Sequence, residues 1–179
     1  MMLFKRLRRW WTRSWGAGLY ARLEGRVLLQ HEAREAIVDL LRRRPALAFV
    51  DVQQAIGLAP GTTKWHLDKL VRSGFIACRR DGRTVRYYPT GMDPAVVEAI
   101  VSIRDPSRLA IVRVVARSPG VTQGDLAGIL GLAQSTVSHH TARLVEEGLL
   151  GARRDGKTVT YTVPEQRRRT IDQALRYAF

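Results

Sequence analysis

"RRDGRTVRYYP", residues 79–89, has a counterpart further along the chain in "RRDGKTVTYTVP", residues 153–164. In each copy two β-rich runs flank an Asp-Gly pair, which is a strong short-range signal for a hairpin with a two-residue turn. The spacing predicts strands from Phe75 to Arg80 and from Arg83 to Pro89, with Asp81-Gly82 at the turn and Asp155-Gly156 in the same role in the second copy. The phrase ends a longer repeat. A shift of 74 positions lays residues 31–90 over residues 105–164 without a gap, pairing Ile37 with Ile111, Pro45 with Pro119, Asp51 with Asp125, Gly57 with Gly131, Leu70 with Leu144 and Gly74 with Gly148.

Working back from the hairpin, each copy parses into three helices. Ala36, Ile37, Leu40 and Leu41 have helical spacing ahead of Pro45, and Ile111, Val112, Val114 and Val115 repeat the pattern ahead of Pro119. A short second helix is expected from Val52 to Ile56 and from Gln123 to Leu130, with Thr122 as N-cap. Tight turns at Gly57-Leu58-Ala59 and Gly131-Leu132-Ala133 lead into a third helix, Pro60 to Ser73 and Gln134 to Glu147, stopped by Gly74 and Gly148. Ala59 and Ala133 stand where a capping Ser or Thr would be favoured.

This order, with "QSTVSHHTARLVEEGLL" at residues 134–150, resembles the winged helix-turn-helix domain of ArsR- and MarR-like transcriptional regulators. The two copies together resemble the tandem winged-helix regulators of archaea. The resemblance covers residues 31–164 and implies a mainly α fold with small β-hairpin wings, double-stranded DNA as partner and the third helix as reader. The expected organisation is a basic amphipathic segment (1–26), a first winged-helix domain (27–90), a helical linker (91–104), a second winged-helix domain (105–164) and a C-terminal helix (165–179).

In a helix-turn-helix the reading helix offers its exposed N-terminal residues to the major groove. With Leu67, Leu70 and Val71 turned inward, the expected DNA contacts of the first copy are Thr62, Thr63, Lys64, Trp65 and Lys69. Those of the second are Ser135, Thr136, Ser138, His139 and Arg143. The wing cations Arg79, Arg80, Arg83 and Arg86, and Arg153, Arg154 and Lys157, are placed to neutralise phosphates or enter a minor groove. Trp65 has two readings, a stacking contact to DNA or packing against the N-terminal segment. His66 and His140 share one repeat position and read as partly buried histidines. His139-His140 does not make a metal site, because adjacent helix residues point apart and no cysteine pair or acidic cluster accompanies them.

Charge supports an anionic partner. The 179 residues hold 30 Lys and Arg against 16 Asp and Glu, a net charge of +14, while the apolar content suffices for a core. Residues 1–26 contribute +6, residues 27–90 +5 and residues 105–164 +2, so the first domain is expected to bind nucleic acid more strongly than the second. A single cysteine, Cys78, excludes an internal disulfide or a thiolate zinc cluster, and a cytoplasmic, DNA-associated setting is expected.

Outside the repeat, "MLFKRLRRWWTRSW" (2–15) reads as a basic amphipathic helix, with packing on the domains or on another subunit ranked above membrane contact. Val96, Val97, Ile100, Val101 and Ile103 make the linker a helix between two Asp-Pro steps. Ile171, Leu175 and Phe179 give the tail an apolar helical face. Homodimerisation through the terminal helices and packing within the chain are left open. Neither a phosphate-cradling glycine loop nor a nucleophile with a base is present, so no enzyme activity and no cofactor are expected. The leading reading is a DNA-binding transcriptional regulator. An architectural DNA-bridging protein of low specificity is an alternative, and a tandem winged-helix protein-interaction module, akin to kleisin-binding subunits, is another. The basic wings count against the last.

Overall fold

The computed structural model describes residues 32–178. The basic segment 1–26 and Phe179 therefore lie outside the described residues, and with them the expectations placed there. Helix α1, Glu32–Arg43, buries Ile37, Val38 and Leu41. Its acids occupy the first turn and its Arg pair the last, in the sense that stabilises a helix dipole. Strand β1 (Leu47–Ala48), α2 (Phe49–Ile56) and α3 (Pro60–Arg72) follow, then β2 (Ile76–Asp81) and β3 (Thr84–Pro89). The linker forms α4, Pro94–Ser102. The second copy repeats the order as α5 (Pro106–Arg117), β4 (Val121–Thr122), α6 (Gln123–Leu130), α7 (Gln134–Glu146), β5 (Gly151–Asp155) and β6 (Thr158–Thr162). A 3-10 turn, Glu165–Arg167, leads into α8, Arg168–Tyr177. The fold is mainly helical, with two small antiparallel sheets of order β1-β3-β2 and β4-β6-β5.

The third strand of each sheet is absent from the sequence reading, because two residues are too few to show an alternating pattern. Helix α2 also begins three residues before the expected Val52. The Asp51 carboxylate accepts the Ala48 N–H at 3.0 Å and so opens the helix at Phe49 without a capping hydroxyl. In the second copy Thr122 and Asp125 form a full reciprocal capping box. The Thr122 hydroxyl, 2.7 Å away, holds the Asp125 carboxyl below its usual range.

The hairpin turns differ from expectation in register. Asp81 pairs with Thr84 and Asp155 with Thr158, so the central residues are Gly82-Arg83 and Gly156-Lys157. Positive φ falls on the glycine of each pair, 57° in both, the pattern of a turn with glycine first. Asp81 and Asp155 thus end strands, and Arg83 and Lys157 stand at the tips.

Two cores form. The first gathers Ile37, Leu41, Val52, Leu67, Leu70, Ile76 and Tyr87 around α3. The second is larger, and α4 and α8 join it. Val96, Val97, Ala99, Ile100 and Ile103 pack with Leu126, Leu144 and Leu150, and with Ile171 and Ala174 of the tail. Val71, expected on the buried face of α3, is only partly buried against the first core.

Arg104 clasps the linker to the first domain. One amino group donates to the Ala46 carbonyl at 2.7 Å and the other to Asp51 at 3.1 Å, so one carboxylate both opens α2 and holds the clasp. Burial lowers the Arg104 guanidinium from its usual value, and Asp51 opposes that shift. Ala46 adopts φ +61°, where its repeat partner Gly120 has +87°. A non-glycine residue there costs about 1 kcal/mol, against a methyl group that is fully buried in the second core.

Tyr87 supplies a pH test of the first core. Burial, followed by the nearby Cys78 and Asp68, pushes its phenol up to about 12. A phenol raised in the folded state contributes fully below its unfolded value near 10, and that contribution is lost as pH rises from about 10 to 12. Loss of about 2 kcal/mol is expected over that window. Chemical denaturation of Tyr87→Phe should lack this component of the alkaline decline, and an unchanged decline would place its cause elsewhere.

Candidate nucleic-acid interface

Both third helices are held from beneath and behind while one face stays open. At the C-terminal end of α3, the Phe75 N–H donates to Leu70 O at 3.1 Å and the Gly74 N–H to Val71 O at 3.2 Å. The Leu149 and Gly148 amides repeat this on Leu144 and Val145, both at 2.9 Å, with Gly74 and Gly148 at positive φ. This is the Schellman closure that turns the chain sharply from helix into wing. At the N-terminal end neither Ala59 nor Ala133 supplies a side-chain cap. The first-turn amides of each helix are thus uncapped by side chains, in a field that favours an anion.

On α3, Thr62, Lys64, Trp65 and Lys69 are exposed. Thr63 is not. It is 0% exposed, and its hydroxyl lies 3.1 Å from Ala59 O. The helical period turns it to the core side, and its repeat partner is the equally buried Val137. The expectation of a DNA contact at Thr63 is therefore corrected: its hydroxyl satisfies the backbone of its own helix start.

Trp65 is 52% exposed, with the Arg34 guanidinium 5.4 Å and the Lys69 ammonium 5.8 Å from its ring. An aromatic face flanked by two cations suits a sugar-phosphate or base edge. The alternative of packing on the N-terminal segment lies outside the described residues. His66 is buried at 2% exposure, its ring edge-on to Trp65 at 4.9 Å.

On α7, Ser135, Ser138 and His139 are exposed and Thr136 is partly buried. His140 turns inward, its Nδ1 3.8 Å from Asp105. Among the described residues no group of three or more His, Cys, Asp or Glu side chains could hold a metal ion. Lys64 pairs with Asp68 at 2.7 Å and Arg143 with Glu147 at 3.1 Å. Such exposed pairs are worth at most about 1 kcal/mol and yield readily to a phosphate.

The wing cations fall into two groups. Arg80, Arg83, Arg153, Arg154 and Lys157 are exposed. Arg79 is also exposed and pairs with Glu98 of α4 at 2.5 Å. Arg86 is mostly covered, bonded to Asp81 at 3.0 Å and to the Ala46 carbonyl at 3.4 Å. The expectation of a phosphate contact at Arg86 is corrected on that ground, since its guanidinium ties the hairpin to the domain body.

Sequence reasoning misses the network that aims α7. The buried Thr141 hydroxyl donates to the Tyr161 hydroxyl at 3.0 Å, and Tyr161 donates to Gln123 at 3.3 Å. Gln123 also reaches Gln134 O at 3.4 Å, so reading helix, wing and preceding helix share one chain of bonds. The one signal for it in the repeat is Tyr161 over Tyr87, and Leu67 at the partner position of Thr141 hides the rest.

Family models match both copies of the repeat. A family model described as an N-terminal HTH domain matches residues 31–100, and one described as winged helix-turn-helix DNA-binding matches residues 104–150. The chain is 34% identical over 74 residues to the HTH-type transcriptional regulator YgaV of Escherichia coli, covering 41% of this chain and 75% of that protein. It is 23% identical over 142 residues to the uncharacterized HTH-type transcriptional regulator MJ1398 of Methanocaldococcus jannaschii, covering 79% of this chain but 36% of that protein. Reduced HlyU from Vibrio cholerae aligns with 28% identity and a TM-score of 0.40 over 44% of this chain and 82% of that one. With a three-stranded wing and a Schellman-closed reading helix in each of two copies, the chain belongs to the winged helix-turn-helix DNA-binding transcriptional regulators, two such domains in tandem.

Proposed function

We propose that one chain reads an asymmetric stretch of double-stranded DNA with two unlike heads, residues 27–90 and 105–164, joined by the linker 91–104. In the first head Thr62, Lys64, Trp65 and Lys69 face the major groove, with Arg79, Arg80 and Arg83 on the backbone or minor groove. In the second, Ser135, Thr136, Ser138, His139 and Arg143 read, with Arg153, Arg154 and Lys157 on the wing. By occupying promoter DNA in the cytoplasm the protein regulates transcription, most simply by blocking polymerase.

The observation that carries this reading is the exposure of matching faces on both third helices, above fully buried Leu70 and Leu144. Tail packing favours a single chain as the reading unit. Ile171 and Ala174 of α8 are buried against the second core and α4, so that apolar face is already occupied within the chain. No helix among the described residues is long and apolar enough to cross a membrane.

Lys64→Ala and His139→Ala test the assignment separately. Each should relax base preference in a different half of the bound site and weaken binding about 10-fold, the scale of one base contact. Binding of selected duplexes by both variants with unchanged preference would move the readout to other residues.

A further inference from the structure

A cavity of about 510 Å³ lies between the first wing and the second domain, bordered by the C-terminal end of the second reading helix at Arg143. Its walls come from the outer face of the β2–β3 hairpin, one side of α4, the first turn of α5, the end of α7 and the turn before α8. That volume is in the range of small-molecule sites. The floor is apolar, formed by Val97, Val101 and Leu149, of which Val97 and Leu149 are buried.

Five arginines and three carboxylates line it, an excess of two positive charges. The carboxylates are already matched. Asp81 is held by Arg86 at 3.0 Å, Glu98 by Arg79 at 2.5 Å and Glu147 by Arg143 at 3.1 Å, with the Ser102 hydroxyl also on Glu147. The excess therefore resides on Arg108 and Arg167. Arg108 donates to the Ser102 carbonyl at 3.2 Å and is 3.8 Å from Glu147, while its Nε is buried without a hydrogen-bond partner. Arg167 is partly buried, and its guanidinium has no ion pair or hydrogen bond among the described residues. Two partly buried guanidinium groups, each with a terminal amino group that has no partner among the described residues, beside an apolar floor match one ligand chemistry, an acidic group on an apolar body.

We propose that this cavity binds a small organic anion, its carboxylate, sulfonate or phosphate held by Arg108 and Arg167 and its apolar body against Val97, Val101 and Leu149. The ligand touches the first wing and the end of the second reading helix together, so its binding is coupled to the relation between the two heads. Any effect on DNA affinity is matched by an equal effect of DNA on ligand affinity.

The test uses the full chain and 1-anilinonaphthalene-8-sulfonate, which joins a sulfonate to an apolar ring system and brightens when it leaves water. Saturable binding of one dye per chain is expected. Arg167→Ala and the cavity-filling Ala95→Trp should each weaken it about tenfold or more, the scale of removing one charge-assisted hydrogen bond. Arg117→Ala, on α5 away from the cavity, should not. Circular dichroism melts of all variants separate loss of the site from loss of the fold, and Arg167→Gln replaces Arg167→Ala if the latter is unfolded. Weakening by Ala95→Trp alone would mean that no acidic group is held and would overturn the proposal. So would non-saturable binding, or binding indifferent to both changes.

Discussion

Replacing Arg80, Arg83, Arg153, Arg154 and Lys157 together by Ala is expected to lower affinity for duplex DNA of any sequence by up to about three orders of magnitude at roughly 0.15 M salt. All five side chains are exposed and extend from the two hairpins. Each phosphate neutralised releases counterions, so the slope of log affinity against log salt should fall by about 0.9 for each phosphate that is no longer neutralised. The readout is a set of binding titrations at several salt concentrations. Base preference should survive, because phosphate contacts position a protein without informing it of sequence. A slope equal to that of the unmodified chain would remove the wings from the interface. Arg86→Ala is the contrasting change. Its guanidinium is committed to Asp81 and Ala46, so it should reduce stability more than it changes the salt slope.

The second large effect concerns stability and exploits the repeat. Leu70→Ala and Leu144→Ala make the same cut at the same place, since both side chains are 0% exposed at equivalent positions on α3 and α7. Each should cost about 3–5 kcal/mol, the transfer of the deleted methyl groups plus the cavity left behind. The consequences should differ. Among the described residues the first core holds nine buried residues and the second twenty, six of them from α4 and α8. A domain of about 60 residues is marginal by itself, so Leu70→Ala should melt the first domain while the second stays folded. Leu144→Ala should lower the melting of a larger unit without abolishing it. Thermal melts read by circular dichroism, with amide NMR spectra to assign the surviving half, would distinguish the two. Identical single transitions in both variants would show that the domains unfold as one.

Much of this architecture is legible in the sequence because punctuation and period agree. Pro60, Gly74 and Gly148 mark helix ends, the apolar spacing on α1 and α5 marks helix faces, and Asp93-Pro94 and Asp105-Pro106 announce two helix starts. In both of those starts the aspartate accepts a backbone N–H, at 2.8 and 3.0 Å. What is not legible depends on tertiary partners. Phe49 opens α2 only because Asp51 reaches back, and β1 and β4 exist only as partners of β3 and β6. The turn register depends on which residues pair across the hairpin, and composition at Asp81-Gly82 does not decide it.

The candidate site divides in the same way. Exposure of Lys64, Trp65 and His139 follows from helical phase alone. Thr63 looks polar in the sequence beside exposed neighbours, whereas it is as fully buried as Val137 at the same position of the other copy. Arg79, Arg86 and Arg143 carry the right charge for DNA. Their acidic partners are up to 19 residues away along the chain, so only the fold reveals that all three also line the cavity beside α4.

Whether two unlike heads on one chain read an asymmetric duplex is decided by selecting random duplex DNA with the purified protein at near-physiological salt and sequencing the retained pool. Enrichment of one motif with two dissimilar halves is expected. Retention without any enriched motif, or enrichment of a two-fold symmetric motif, would rule out reading by two unlike heads on one chain.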